Sequence, residues 1–204
     1  MSLPGTAKPS HGTSGRVLRI ASRVLLVVGL LALGYAAYVT EDARTYQAIH
    51  EHQFEVAPVT PAPPMDEPPA EGSPIGRLQI PRLGLRVIVV QGDSPKILRR
   101  AVGHLPDTKL PGEDGNIALA GHRDTFFRPL RGVRPGDLIT LETSSSDFQY
   151  EVEWAHVVPP TSIEVLRSSG ARELTLITCF PFDFVGSAPN RFVVRAREVS
   201  QGPR

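Results

Sequence analysis

The sequence predicts a mainly β domain, a closed barrel or a sandwich with few helices, that follows one N-terminal membrane-spanning helix. Residues 24–40 carry no charge and are mostly Leu, Val or Ala. Residues 58–74 contain seven prolines, and short β-rich runs separated by turn residues occupy 75–199. Charged residues make up 21% and apolar residues 41% of the chain. This composition excludes wholesale disorder and a polytopic membrane protein.

The first 40 residues have the pattern of a membrane anchor. The segment 24–40 is at the short end of what spans a bilayer core. Three arginines, at positions 16, 19 and 23, precede it, whereas Glu41 and Asp42 follow it. The positive-inside rule therefore predicts that 1–23 is a cytoplasmic basic tail and that the domain lies outside the cytoplasmic membrane. A cleaved signal peptide is the alternative, but the possible cleavage site at 34–37 is weak, which favours a retained anchor.

The segment 41–74 is predicted to be a linker, first polar and then proline-rich. Proline-rich segments are extended and semi-rigid, so they act as spacers. After residue 40 the chain has slightly more acidic than basic residues. This charge balance gives no reason to expect a nucleic acid as a partner. The folded domain is expected over 75–199, followed by a short C-terminal tail, 200–204.

Each β-rich run is bounded by turn residues. Pro81 and Gly84 separate the first two runs, and the turn 134–137 precedes a later one. Short helical segments are expected after Ser94 and within 161–168. The predicted strands are 76–80, 85–90, 117–122, 138–142, 148–158, 174–179 and 191–199.

Period-two alternation places three polar residues at the ends of strands, on the side opposite the most apolar face. His122 shares its face with Ala118 and Ala120, and Cys179 shares its face with Ile177. In the last strand, Phe192, Val194 and Ala196 form the apolar face, and Arg191 points away together with Val193, Arg195 and Arg197. That the three strand ends meet in space is an inference from this pattern.

These residue types fit nucleophilic catalysis. A thiolate attacks carbonyl carbon, and a nearby cation favours the thiolate. A histidine can give a proton to a departing amine and take one from an incoming amine. An arginine offers fixed N–H donors to a developing oxyanion. Cys179 is the single cysteine, and a lone thiol in an exported protein is buried and inert, paired with another chain, or reactive.

Other readings of the same residues stay open at this point. Arg195 and Arg197 are expected to be ordinary surface charges. His104 is the rival histidine, and Asp124 either orients His122 or caps the turn that follows it. The sequence has no HExxH or CxxC motif and no phosphate-cradling glycine loop, so it gives no support to a metal or nucleotide site.

The segment Leu174–Cys179, followed by Arg191 twelve positions after the cysteine, resembles the sortase signature of a TLxTC strand with a downstream arginine. The segment 120–123, Ala-Gly-His-Arg, resembles the one that carries the catalytic histidine of that family, and 76–92 resembles its opening strands. The resemblance covers about 75–199 in the family's order. The stretch 179–192 looks most like the class D branch.

The resemblance implies an eight-stranded sortase-type β-barrel with short helices. It implies that Cys179 is the nucleophile, His122 the acid and base, and Arg191 the oxyanion-binding or substrate-positioning group. Ala120 and Ile177 would line the groove for the substrate.

The implied activity is that of a cysteine transpeptidase that cleaves an LPxTG-like C-terminal sorting motif through a thioester. The implied partners are secreted proteins that bear such a signal and an amine acceptor, either a cell-wall precursor or a protein. No cofactor or metal is needed for this chemistry.

Two other classes of function remain as alternatives. One is a different extracytoplasmic cysteine peptidase or an L,D-transpeptidase, although the usual Ser-His-Gly-Cys context of the latter is missing. The other is a non-enzymatic, anchored β-domain of the envelope. Slow alkylation of Cys179 would favour the second alternative, because a structural thiol is protected.

Overall fold

The computed structural model describes residues 14–56, 69–184 and 186–203, and in these segments one long helix precedes eight strands. The long helix, α1, is Ser14–Val56, and a short helix, α2, is Pro95–Leu98. Short 3₁₀ turns occur at Pro81–Leu83, Arg128–Gly132 and Ile163–Leu166. The strands are β1 Pro74–Ile80, β2 Leu85–Gln91, β3 Val102–His104, β4 Asn116–Ala120, β5 Leu138–Glu142, β6 Ser146–Val158, β7 Glu173–Phe180 and β8 Asn190–Pro203.

The chain divides into two compact units, residues 1–41 and 42–204. In the first unit, α1 exposes a series of large apolar side chains, among them Leu25, Leu31 and Leu33. By length and composition this helix is apolar enough to cross a membrane. It therefore fits a single-pass membrane anchor. Residues 1–13 of the predicted basic tail lie outside the described residues.

The eight strands of the second unit form a closed barrel in the order β1-β2-β3-β4-β7-β8-β6-β5. The pairs β2–β3 and β4–β7 are parallel, and the other pairs are antiparallel. Closure removes exposed sheet edges. The predicted eight-stranded barrel is confirmed, and closure of the sheet decides between the barrel and the sandwich.

Alternate residues of the strands fill the interior of the barrel. These side chains form one buried cluster to which all eight strands contribute large aliphatic or aromatic residues. Each fully buried Leu, Ile, Val or Phe contributes about 1.5 to 3 kcal/mol to folding. The residues between them point outward, as predicted for Ala118, Ala120, Ile177 and Cys179. Members of the cluster include Leu78, Ile80, Val87, Val89, Val102, Ile117, Leu119, Ile139, Leu141, Phe148, Tyr150, Leu174, Leu176 and Val194.

Three elements differ from the prediction. The strand β3 was not predicted, because three residues are too short to show a period, and pairing with β2 and β4 fixes its place. The strand β8 extends to Pro203, since its last residues pair with the start of β6. The strand β4 ends at Ala120, so His122 lies in the loop two residues beyond it.

Part of the predicted linker belongs to α1 and contacts the barrel. The side chain of Gln47 accepts a hydrogen bond from the backbone N–H of Ile88 (2.8 Å) and donates one to the carbonyl of Arg100 (2.7 Å). Asp42 accepts a hydrogen bond from Arg100 Nε at 2.6 Å, and Tyr46 packs against a small cluster that includes Ile88. Residues 42–56 are therefore helical and contact the barrel through Asp42, Tyr46 and Gln47, and residues 57–68 lie outside the described residues.

Candidate active site

Cys179 and Arg191 occupy directly opposite positions on the antiparallel strands β7 and β8. Opposite residues in such a pair have Cα atoms about 4.5 to 5.5 Å apart and side chains on the same face. On the other side of β7, the parallel strand β4 places Ala120 opposite Ile177. His122 follows Ala120 by two residues. The structure therefore brings the three predicted residues to one end of the barrel.

Two hydrogen bonds fix the backbone before His122 against the strand that carries Cys179. The N–H of Gly121 donates to the carbonyl of Ile177 (3.1 Å), which extends the β4–β7 ladder by one residue. The buried hydroxyl of Thr178 donates to the carbonyl of Gly121 at 2.7 Å. Since Thr178 adjoins Cys179 and Gly121 adjoins His122, these bonds set the two backbones in a fixed relation.

The three side chains differ in their access to solvent. His122 is exposed, whereas Cys179 and Arg191 are half-buried. Arg191 Nη1 donates to the carbonyls of Asn190 (3.0 Å) and Ala188 (3.4 Å), which lie one and three residues before it in the chain. A guanidinium has five N–H donors, and both contacts use Nη1. The remaining nitrogens give Arg191 the capacity to bind a further acceptor.

A row of side chains across neighbouring strands forms a shallow floor beside Cys179. Ala120 on β4 lies opposite Ile177 on β7, and Ile177 lies opposite Val193 on β8. Ala120 and Ile177 are half-buried, and Val193 is fully buried. The two residues predicted to bind substrate are thus adjacent on one outward face.

The strand β6 also contributes to this floor, through a bulge that the sequence did not indicate. A register shift between Val152 and Trp154 reverses the alternation, so that His156 lies opposite Val193 and Val158 opposite Arg191. The rings of Trp154 and His156 stack with centroids 4.8 Å apart. A bulge of this kind has no reliable signal in the sequence, because a one-residue insertion changes which alternate residues face out.

His104, the rival histidine, is a buried part of the barrel. It is 1% exposed, and its ring nitrogens lie 2.8 Å from Gln91 Oε1 and 2.9 Å from the carbonyl of Lys109. Burial lowers the pKa of His104, since desolvation disfavours the imidazolium. The neutral ring satisfies both contacts if Nε2–H donates to Lys109 and the Gln91 amide presents its NH₂ to Nδ1. Both ring nitrogens are thus occupied by structural contacts.

Arg195 is not the surface charge that the sequence predicted. It is 6% exposed, and its Nη1 donates to Glu173 Oε2 at 2.7 Å within a buried ion pair. Its Nη2 donates to the carbonyl of Val165 (2.6 Å). The 3₁₀ turn that contains Val165 covers this part of the outward face, which strand periodicity cannot reveal. Arg197 has a side chain 54% exposed, as predicted.

Arg123 is the second residue whose role the sequence did not indicate. It directly follows His122, is 6% exposed, and donates to carbonyls in the loop between β7 and β8. Asp124 lies 3.3 Å from Arg123 Nε. The carboxylate of Asp124, two residues after His122 in the chain, therefore contacts Arg123.

Sequence and structure comparisons show that this barrel is similar to those of known sortases. The family model of the sortase domain matches residues 78–199. Sortase D of Bacillus subtilis is 37% identical over 134 residues, which are 65% of this chain and 67% of that protein. The structure of SrtA sortase from Actinomyces oris has a TM-score of 0.62 at 28% identity and covers 71% of this chain and 90% of its own. Sortase E1 from Streptomyces coelicolor with a tripeptide in the active site has a TM-score of 0.59 at 31% identity, with 66% and 94% covered.

The closed eight-stranded barrel and the sortase family match together show that the protein is a cysteine transpeptidase. The chain belongs to the sortase family. The sortase prediction, with its likeness to class D, is confirmed. Membership of this family excludes the non-enzymatic envelope domain and favours transpeptidation over the other cysteine-dependent alternatives.

Proposed function

We propose that the chain cleaves an LPxTG-like C-terminal sorting signal of a secreted protein and transfers that protein to an amine acceptor in the cell envelope. The observation that carries the proposal is the register that puts Cys179 opposite Arg191, next to the strand that leads to His122. This arrangement provides a nucleophile, a group for proton transfer and an oxyanion donor at one end of the barrel. The acceptor is a cell-wall precursor or another protein.

In the first step, the thiolate of Cys179 attacks the carbonyl carbon of the threonine in the sorting motif. Arg191 donates N–H groups to the oxygen while it carries negative charge. The C–N bond then breaks, and His122 gives its proton to the departing amine. The product is a thioester between Cys179 and the substrate protein.

In the second step, the acceptor amine attacks the thioester carbonyl. Neutral His122 takes a proton from the attacking amine, the C–S bond breaks, and Cys179 leaves as a thiolate. The enzyme returns to its starting protonation state, so no cofactor is consumed. Ala120 and Ile177 would contact the peptide beside the cleaved bond, because both belong to the outward row next to Cys179.

We also propose a topology for the chain. Residues 1–23 are the cytoplasmic basic tail, 24–40 the transmembrane anchor and 41–73 the connecting segment, of which 42–56 continue α1. The catalytic barrel outside the membrane begins with β1 at Pro74 and ends with β8 at Pro203. The arginines at 16, 19 and 23 before the apolar segment, with acids after it, support an N-terminus inside the cell.

To test the function, the full chain purified in detergent is incubated with a panel of LPxTG-like peptides, each in the presence of an amine acceptor. The wild type is expected to give a transpeptidation product and an acyl-enzyme at Cys179, both identified by mass spectrometry. Cys179→Ala is the matched control and is expected to give neither. A wild type that leaves every peptide intact, or a product that forms equally with Cys179→Ala, contradicts the proposal.

A further inference from the structure

Arg123 connects the loop that contains His122 to the loop that follows Cys179. Its Nη1 donates to the carbonyl of Pro181 at 2.8 Å. Its Nη2 donates to the carbonyls of Phe184 and, at 3.3 Å, Gly186. Three carbonyls of one irregular loop thus share a single guanidinium as their donor.

The position of this charge is unusual for an arginine. Its side chain is 6% exposed, and the carboxylate beside it, Asp124, is 63% exposed and 3.3 Å away. The aromatic ring of Phe184 lies with its centroid 5.9 Å from the guanidinium carbon. Burial of a charge is unfavourable unless hydrogen bonds replace the lost water, and here the loop carbonyls supply most of them. The loop and Arg123 therefore depend on each other for their conformation.

The hydrogen bond from Arg123 to Pro181 is one of those that join the segment around His122 to the segment around Cys179. On one side, Thr178, which precedes Cys179, donates to Gly121, which precedes His122, at 2.7 Å. On the other side, Arg123 follows His122 and donates to Pro181, two residues after Cys179. The short segments that carry the thiol and the imidazole are thus joined both before and after these side chains.

We propose that Arg123 is a positioning residue for transpeptidation, which holds the start of the β7–β8 loop in place relative to His122. This inference rests on the proposed function, because it gives Arg123 a role only through His122 and Cys179. The same loop leads from Cys179 to Arg191, so its conformation affects all three residues. A displacement of about 1 Å between reacting groups can lower a rate about a hundredfold.

The variants that test this role are Arg123→Gln and Arg123→Lys. Glutamine removes the charge and has one NH₂ group to donate, and lysine keeps the charge but loses the planar fork that reaches several carbonyls. Arg128→Gln is the matched control, since Arg128 also lies between β4 and β5, at the start of the 3₁₀ turn Arg128–Gly132. Its side chain is 53% exposed and makes a long contact, 4.0 Å, with Asp183.

We expect Arg123→Gln to lower kcat at least about tenfold and Arg123→Lys to lower it less, while KM for the peptide changes no more than a few times. Alkylation of Cys179 by iodoacetamide should stay within a few times the wild-type rate, because it needs an accessible thiolate but no proton transfer from an aligned histidine to a departing amine. Arg128→Gln should behave as the wild type in all three measurements. A wild-type kcat in both Arg123 variants overturns the proposal.

Hydrogen exchange tests the structural basis without reference to activity. Amides of 182–184, 186 and 187 should exchange at least about tenfold faster in Arg123→Lys than in the wild type or in Arg128→Gln, since the loop loses its shared donor. Unchanged exchange in this variant overturns the proposal even if activity falls. If Arg123→Gln does not fold, the lysine variant decides both measurements. If the wild type acts on no peptide, the proposed function fails, and the exchange result still shows whether Arg123 holds the loop.

Discussion

Cys179 on β7 and Arg191 on β8 are direct partners across an antiparallel ladder. They are twelve positions apart in sequence, but the hairpin returns the chain to the same level of the barrel. The pair lies beside the strand that leads to His122. Since the barrel is closed, this relation is fixed by hydrogen-bonded strands, whereas His122 depends on the loop contacts around it.

Replacement of Arg191 by lysine should lower kcat/KM by about ten- to a thousandfold, the range for loss of a transition-state donor. Lysine keeps the positive charge but loses the planar set of N–H groups. The control is Arg197→Lys on the same strand, where the side chain is 54% exposed and 2.6 Å from Glu153. Equal losses in the two variants would indicate that the substrate responds to general surface charge.

Replacement of His122 by alanine should lower turnover at least about a hundredfold, because an acid and base group is lost. The His122 side chain is exposed, so the variant should unfold at the wild-type temperature. His52→Ala is the control, as His52 is another exposed histidine and lies in α1, outside the strands that carry the site. Turnover is measured with the peptide and amine of the transpeptidation assay, and near-normal turnover in His122→Ala would refute the assignment.

Replacement of Arg195 by alanine should destabilise the barrel by about 3 to 5 kcal/mol, because it leaves the carboxylate of Glu173 buried without its cation. Loss of the exposed pair in Arg197→Ala should cost at most about 1 kcal/mol. Urea unfolding of the two variants measures the difference. Similar stabilities for both would contradict the burial of the Arg195–Glu173 pair.

His104 should make the folded protein less stable at mildly acidic pH. Burial lowers its pKa in the folded state, whereas in the unfolded chain it titrates at about 6.5. As pH falls below that value, the unfolded chain binds the proton first, and the equilibrium shifts towards unfolding until the folded pKa is reached. The free energy of unfolding, measured at pH 7.5 and 5.5, should therefore decrease more in the wild type than in His104→Asn. An identical decrease in both proteins would exclude His104 as a cause.

The single cysteine allows a direct test of topology. A membrane-impermeant maleimide added to cells, with any outer membrane permeabilised, should label Cys179, because the domain after the apolar helix is proposed to lie outside. In a Cys179→Ala background, a new thiol from Ser10→Cys should be labelled only after lysis. Labelling of position 10 in intact cells would reverse the orientation.

The sequence by itself determined the elements with clear periods. Alternation in 117–120 and 174–179 correctly assigned the inward and outward faces, because one face of each strand must be apolar to fill the barrel. The motif around Cys179 and the arginine twelve positions later correctly indicated the family. The long apolar run predicted the N-terminal helix, since length and composition, both read from the sequence, decide whether a helix is apolar enough to span a bilayer.

Only the tertiary structure decided the features that depend on distant segments. The three residues of β3 take their place from β2 and β4, and the bulge before Trp154 turns His156 towards the floor beside Cys179. Arg195 is buried because the turn 163–166 covers it, and Arg123 is buried because the loop after Cys179 closes over it. A charged residue in a strand or loop is exposed by default, and its burial is decided by which other part of the chain supplies its hydrogen bonds.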